Sequence, residues 1–167
     1  MWLLPFKYLL TNKVREISFK IIHKFYPAKH YLRRLKRDID VSCSFCETAD
    51  ETVLHLFWYC HCVQLFWKDV ARFIKDHIWD DFSLFWKNVL FGFISNDRSL
   101  TKELYLTNLI ILLAKFHIHK CKFTNKKPLF IVFSKECEIY FSTLKNSVNK
   151  KAVKTTSLCY EFGIFPV

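Results

Sequence analysis

Cys43 and Cys46 are separated by two residues, His55 follows after eight more, and Cys60 after a further four. Three thiols and one imidazole are the soft and borderline donors that a tetrahedral Zn²⁺ takes. A two-residue gap lets one tight turn aim both sulfurs at a single ion, and the second pair closes the tetrahedron from the next segment. Three thiolates and a neutral imidazole leave no open position and, with the ion, carry a net charge of about −1. The chemistry is therefore structural, supplying folding free energy to a segment with few other constraints. One geometric condition follows. Residues 50–52 read as the acidic start of a short helix through residues 53–60, and residues five apart on an ideal α-helix lie about 140° apart round its axis. That helix must end or loosen before Cys60. His61 and Cys62 compete for the fourth position, and Cys60 is preferred because Cys62 needs a longer loop.

Two other clusters promise less. Trp79-Asp80-Asp81 is superficially similar to the aromatic–x–Asp–Asp signature of polymerases, which hold two divalent ions with a cluster of aspartates. Here the two acids close an amphipathic helix, with no strand–turn–strand pattern and no third aspartate in a matching context. His117 and His119 stand near Cys121, but i,i+2 spacing points two helical side chains apart. Both read as satisfied helix histidines. No paired acids with a histidine partner suggest an endonuclease, so no residue is assigned a catalytic role.

The elements that must carry the metal site are helical. With two glycines and four prolines in 167 residues, there is little material for hairpin turns. Thr11 or Asn12 can cap a first helix to about Phe25, with Val14, Ile17, Ile21 and Phe25 on one face and Lys13, Arg15, Lys20 and Lys24 away from it. Pro27 ends or kinks it. Tyr31, Leu32 and Leu35 suggest a short second helix with Arg33, Arg34, Lys36 and Arg37 at its end, where positive charge suits the helix dipole. Phe66, Val70, Phe73, Ile74 and Ile78 mark a helix just after the metal ligands, and residues 85–92 a further packed stretch. Ser99 or Thr101 caps a long apolar helix to about Lys120, and Pro128 opens a last one striped by Phe130, Phe133, Cys137, Tyr140, Leu144 and Val148. From Lys150 the periodicity fades, which predicts a loosely held tail.

Composition bounds the setting. Half of the residues are apolar and 18% aromatic, enough for a sizeable core. Seven cysteines, an odd number, argue against a disulfide scaffold and for a reducing compartment. Pro5 and Lys7 interrupt the apolar N-terminal run, which has no small-residue cleavage site, so it does not read as a signal peptide. Residues 104–118 are shorter than the roughly 20 a membrane span needs. The expected location is intracellular, nuclear or cytoplasmic, with no membrane partner. The +11 net charge is uneven: ten Lys/Arg against three acids in residues 1–40, six against nine in residues 41–112, and ten against two in residues 113–155. Two basic blocks flanking a mildly acidic middle are a footprint of phosphate contact.

Cys43-x-x-Cys46, His55-Leu56-Phe57-Trp58-Tyr59-Cys60, Phe66-Trp67 and Leu90-Phe91-Gly92 together resemble the zinc-binding segment at the C-terminal end of reverse transcriptases of LINE-type non-long-terminal-repeat retrotransposons. Residues 19–26, Leu113-Ala114-Lys115 and Tyr140-Phe141 are similar to the flanks of fish elements, so the resemblance runs over about residues 5–155. It implies Cys43, Cys46, His55 and Cys60 as ligands of Zn²⁺, and a role in binding element RNA or target DNA. One departure is visible: the family often has a glycine between the second cysteine and the histidine, and residues 47–54 contain none.

The expectation is thus an all-α, irregular helical domain over residues 1–155, with a basic arm (1–40), a small Cys3His zinc knuckle (41–62), a helical body (63–155) and a tail (156–167). Arg33, Arg34, Lys36 and Arg37, with Lys120, Lys122, Lys126 and Lys127, would hold phosphates of RNA or single-stranded DNA, and rings such as Phe45 or Trp58 would stack on unpaired bases. The alternatives are an interaction segment that docks on a reverse transcriptase domain of the parent polyprotein, or a relic without activity. The sequence does not fix an oligomeric state.

Overall fold

The computed structural model describes residues 4–8, 10–94, 101–147 and 149–165. Ser99 and Val148, two of the residues weighed above, lie outside them. Helix α1 spans Asn12–Ile22 and buries Val14, Ile17 and Ile21 as the spacing predicts. It stops three residues before Phe25, because Lys24 turns left-handed (φ 62°). The Phe25 N–H then reaches back to the Lys20 carbonyl and the Lys24 N–H to that of Ile21, a Schellman closure. Phe25 is thereby swung out to 39% exposure instead of joining the stripe. Helix α2 is one turn, Lys29–Leu32.

After the metal-ligand segment come α3 (His61–His77), α4 (Trp86–Phe91) and α5 (Lys102–Phe123). Thr101 caps α5, its hydroxyl accepting from the Leu104 N–H at 3.2 Å. Every residue from Leu104 to Leu112 is buried, so this part of α5 is enclosed on all sides and runs through the core. Among the described residues, no helix is long and apolar enough to cross a membrane. Asn108 breaks the apolar run without an orphaned group. Its Oδ1 accepts from the Phe93 N–H (2.7 Å) and its Nδ2 donates to the Phe93 carbonyl (2.9 Å), which fastens the chain after α4 to the central helix.

Helix α6 (Phe130–Lys145) buries Phe133, Cys137, Phe141 and Leu144. The loosely held tail expected after Lys150 is instead a twelve-residue helix, α7 (Lys150–Glu161). Asn149 caps its start by accepting from the Lys151 N–H at 2.9 Å. Gly163 (φ 61°) supplies the left-handed residue that ends it. Ala152, Thr155, Leu158 and Cys159 are its buried face, and the Thr155 hydroxyl meets that of Tyr105 on α5 at 2.9 Å. Residue 155, expected near the domain's end, therefore lies in the middle of a packed helix. The described residues form no strand, and the all-helical class stands.

Candidate metal centre and basic surface

The knuckle is built from a miniature hairpin and a widened helical turn. The Cys43 N–H donates to the Ala49 carbonyl (2.8 Å) and the Glu51 N–H to that of Val41 (2.7 Å). Between these rungs the chain reverses over Cys43 to Cys46, where the Phe45 N–H points at the Cys43 sulfur at 3.4 Å. The next residue, Glu47, is left-handed (φ 58°). A left-handed backbone favours glycine, so Glu47 stands where a glycine between the second cysteine and the histidine would fit.

His55–Tyr59 is a turn of π-helix, and the Cys60 N–H bonds to the His55 carbonyl at 2.8 Å. Closing the ring over five residues instead of four stacks residue i+5 near residue i. Cys60 then leaves in an extended conformation (φ −61°, ψ 125°). The widened turn thus removes the 140° separation that an α-helix would impose. The Trp67 indole N–H donates to the Phe57 carbonyl within that turn at 2.8 Å, bracing it from α3.

The outcome is one cluster. The ligand atoms of Cys43, Cys46, His55 and Cys60 all lie within 4.8 Å of one another. The Cys43 and Cys60 sulfurs are 3.9 Å apart, and the Cys46 sulfur is 3.3 Å from His55 Nε2. Around an ion with Zn–S of about 2.3 Å and Zn–N of about 2.0 Å, tetrahedral angles set S···S near 3.8 Å and S···N near 3.5 Å. The donor set and spacing fit a metal ion. Cys62 points elsewhere, its sulfur 3.6 Å from the Phe45 carbonyl. The single hydrogen bond between the two sulfurs lowers the pKa of Cys43 and raises that of Cys60, so it draws one member of the pair towards the thiolate a metal requires. Burial works against ionisation of Cys46, but hydrogen bonds from Thr48 and His55 outweigh it, and its pKa is lowered as well.

Glu51, which the sequence shows only as part of an acidic helix start, is fully buried and fixes the knuckle to the body. One carboxylate oxygen accepts from the Lys29 N–H (3.0 Å) and from Lys122 Nζ (2.7 Å); the other accepts from the Ser44 N–H (3.0 Å) and the Ser44 hydroxyl. Burial raises the pKa of Glu51, but the bonds from Lys122, Ser44 and Lys29 outweigh it and hold the carboxyl below its ordinary value. Nothing in the sequence pairs residue 51 with residue 122.

Lys122 is consequently not a surface cation. It is 7% exposed, bound to Glu51 and to the Pro27 carbonyl (2.6 Å), and is removed from the phosphate-binding set. Lys120 is half-buried and paired with Glu136 at 2.6 Å. Arg33, Arg34, Lys36, Arg37, Lys126 and Lys127 are exposed. Phe45 is buried at 5% exposure and offers no stacking face, whereas Trp58 is half-buried along a groove with Leu65, Trp67 and Leu84. Asp80 and Asp81 are exposed in the turn after α3. His117 lies between Glu136 (2.9 Å) and the Cys121 sulfur (3.5 Å), while His119 bonds to the Tyr26 hydroxyl (2.9 Å). No second group of three or more such ligands converges among the described residues.

Residues 1–67 match the family model described as zinc-binding in reverse transcriptase. The matched segment contains all four clustered ligands and ends inside α3 at Trp67, the residue that braces the π-turn. The chain thus carries a zinc-binding, reverse-transcriptase-associated segment, and the similarity expected of residues 68–155 lies beyond the match. No curated protein and no solved structure matches the chain.

Proposed function

We propose that the chain is a zinc-stabilised module that binds RNA or single-stranded DNA, derived from a reverse transcriptase and without catalytic residues of its own. Cys43, Cys46, His55 and Cys60 would hold Zn²⁺. When bound, the ion supplies folding free energy by tying the hairpin to the π-turn. The observation that carries the nucleic-acid reading is the row Arg33, Arg34, Lys36 and Arg37. All four are exposed on the segment that leads into the knuckle, with Lys126 and Lys127 as a second exposed pair. Cations left in water beside a rigid metal knuckle suit phosphates, whose bound counterions they release. The reading places the protein inside the cell, in the nucleus or cytoplasm, where thiols stay reduced.

Elemental analysis of the purified protein should find one zinc per chain. Binding of single-stranded RNA should weaken by a slope of about 0.7 in log affinity per log salt for each phosphate contact. A flat salt response would refute the reading. A second reading, docking on a polymerase domain of the same polyprotein, is favoured by the outer face of α6, where Ile131 and Ile139 are more than 60% exposed. It expects Ile131→Gln with Ile139→Gln, which adds no charge, to abolish association with that domain and leave RNA binding unchanged.

A further inference from the structure

Four rings that no part of the metal centre uses gather where α1 and α5 end. Phe19 is 41% exposed, Phe25 39% and Phe123 61%, and His23 is exposed beside them. Phe19 and His23 lie 4.0 Å apart between centroids, and Phe25 meets Phe19 edge-on at 5.7 Å. On α5, His119 sits 4.8 Å from Phe123 and bonds to Tyr26, the residue after Phe25. Lys122 Nζ lies 5.3 Å from both the Tyr26 and the Phe123 rings, so the two ring groups share one neighbourhood.

The same corner is basic. Lys24, Lys126 and Lys127 are exposed there, and the two acids of this corner are already paired, Glu16 with Lys20 and the buried Glu51 with Lys122. Both helices end in left-handed residues, Lys24 (φ 62°) and Asn125 (φ 52°), and the Lys126 N–H reaches back to the Cys121 carbonyl at 3.0 Å. A lysine in a left-handed position costs roughly 1 kcal/mol against glycine. Here it holds a cation beside Phe25.

Rings with one face in water and cations within reach of a backbone are the two elements of a single-strand platform. Every unpaired base has a π-face to stack, and the lysines meet the phosphates. A duplex keeps its bases stacked on one another and offers these rings nothing. We infer that Phe19, Phe25 and Phe123, with Lys24, Lys126 and Lys127, form a stacking site for the unpaired bases of single-stranded nucleic acid. The inference rests on the nucleic-acid reading and names a site within it.

The test uses the full, zinc-loaded chain and fluorescence anisotropy with labelled oligo(U), oligo(dT) and a duplex of equal length. Phe19→Ala, Phe25→Ala and Phe123→Ala should each weaken single-strand binding roughly 5- to 100-fold, leave duplex binding unchanged and leave the salt slope unchanged. Lys126→Ala should instead lower the salt slope by about 0.7. Phe25→Trp, which keeps a stacking face, should retain affinity and separates lost stacking from lost folding. Comparing oligo(U) with oligo(dT) tells an RNA from a DNA source of the strand. If the wild-type chain binds neither strand, the nucleic-acid reading and the platform fall together. If it binds but the ring-to-Ala variants bind equally well, the platform alone is overturned and the rings belong to a protein interface.

Discussion

Lys115 is 1% exposed on the central helix, and the contact found for its ammonium is the Leu90 carbonyl at 3.3 Å. Burial alone pushes its pKa down to about 7, with no acid among the causes. Its folded value therefore lies below its unfolded value, so the unfolded chain binds more protons between the two. The contribution of this one group to stability therefore rises with pH from about 7 to about 10. The drop from 10.5 is about three and a half units at 1.36 kcal/mol each, so at neutral pH the buried amine costs on the order of 4 kcal/mol. That is comparable with the whole stability of a marginal domain. Lys115→Met keeps the length and apolar stem and removes the charge. It should raise stability at pH 7 by about 1–4 kcal/mol and flatten the pH slope, the lower figure allowing for methionine packing imperfectly. The assay is urea unfolding in saturating zinc at pH values between about 7 and 9.5. That ceiling stays clear of Tyr8, Tyr26 and Tyr140, whose raised pKa values make stability fall at higher pH. The raised thiols of Cys121, Cys137 and Cys159 oppose the rise within the window but are common to both proteins, so the difference between variant and wild type isolates Lys115. A variant less stable than wild type at pH 7, or one with the wild-type slope, would refute the reasoning.

Glu51→Gln should cost about 3–5 kcal/mol, since it strands a buried ammonium, and adding Lys122→Met should recover most of that loss in a chemical-denaturation cycle. Because the folded pKa of Glu51 is depressed, its contribution is fully present above the ordinary carboxylate value and should fade as pH falls from that value through the lower folded one; Glu51→Gln should lack this acid limb. Cys46→Ser should lose the ion and lower the melting temperature in the same preparation, and unchanged metal content would show that the ligand set is wrong. Lys24→Gly relieves a left-handed lysine and should stabilise the fold by about 1 kcal/mol while weakening single-strand binding.

The Cys3His cluster was legible because its spacing is local. Even the need for the helix to loosen before Cys60 follows from 100° per residue, and the π-turn over His55–Tyr59 is how the chain meets it. What the sequence hid was long-range or weakly patterned. Glu51 and Lys122 are 71 positions apart, and each looks like an ordinary surface charge until the fold buries both. Helix α7 escaped because its inner face is Ala152, Thr155 and Cys159 around a single leucine, too small and polar to stand out as an apolar stripe. Its caps, Asn149 and Gly163, were readable and carried the better signal. Phe25 misled in the opposite direction: it kept helical spacing, but the left-handed turn at Lys24 took it off the face.

The match to residues 1–67 ends where the homology signal ends, not where the interior does. Tyr26 is held by His119, Glu51 by Lys122, and Phe66 lies between His117 and Phe133, all partners beyond that limit. A fragment cut at residue 67 would expose a severed core and an uncompensated carboxylate. It would report on its own collapse rather than on the affinity of the knuckle for zinc.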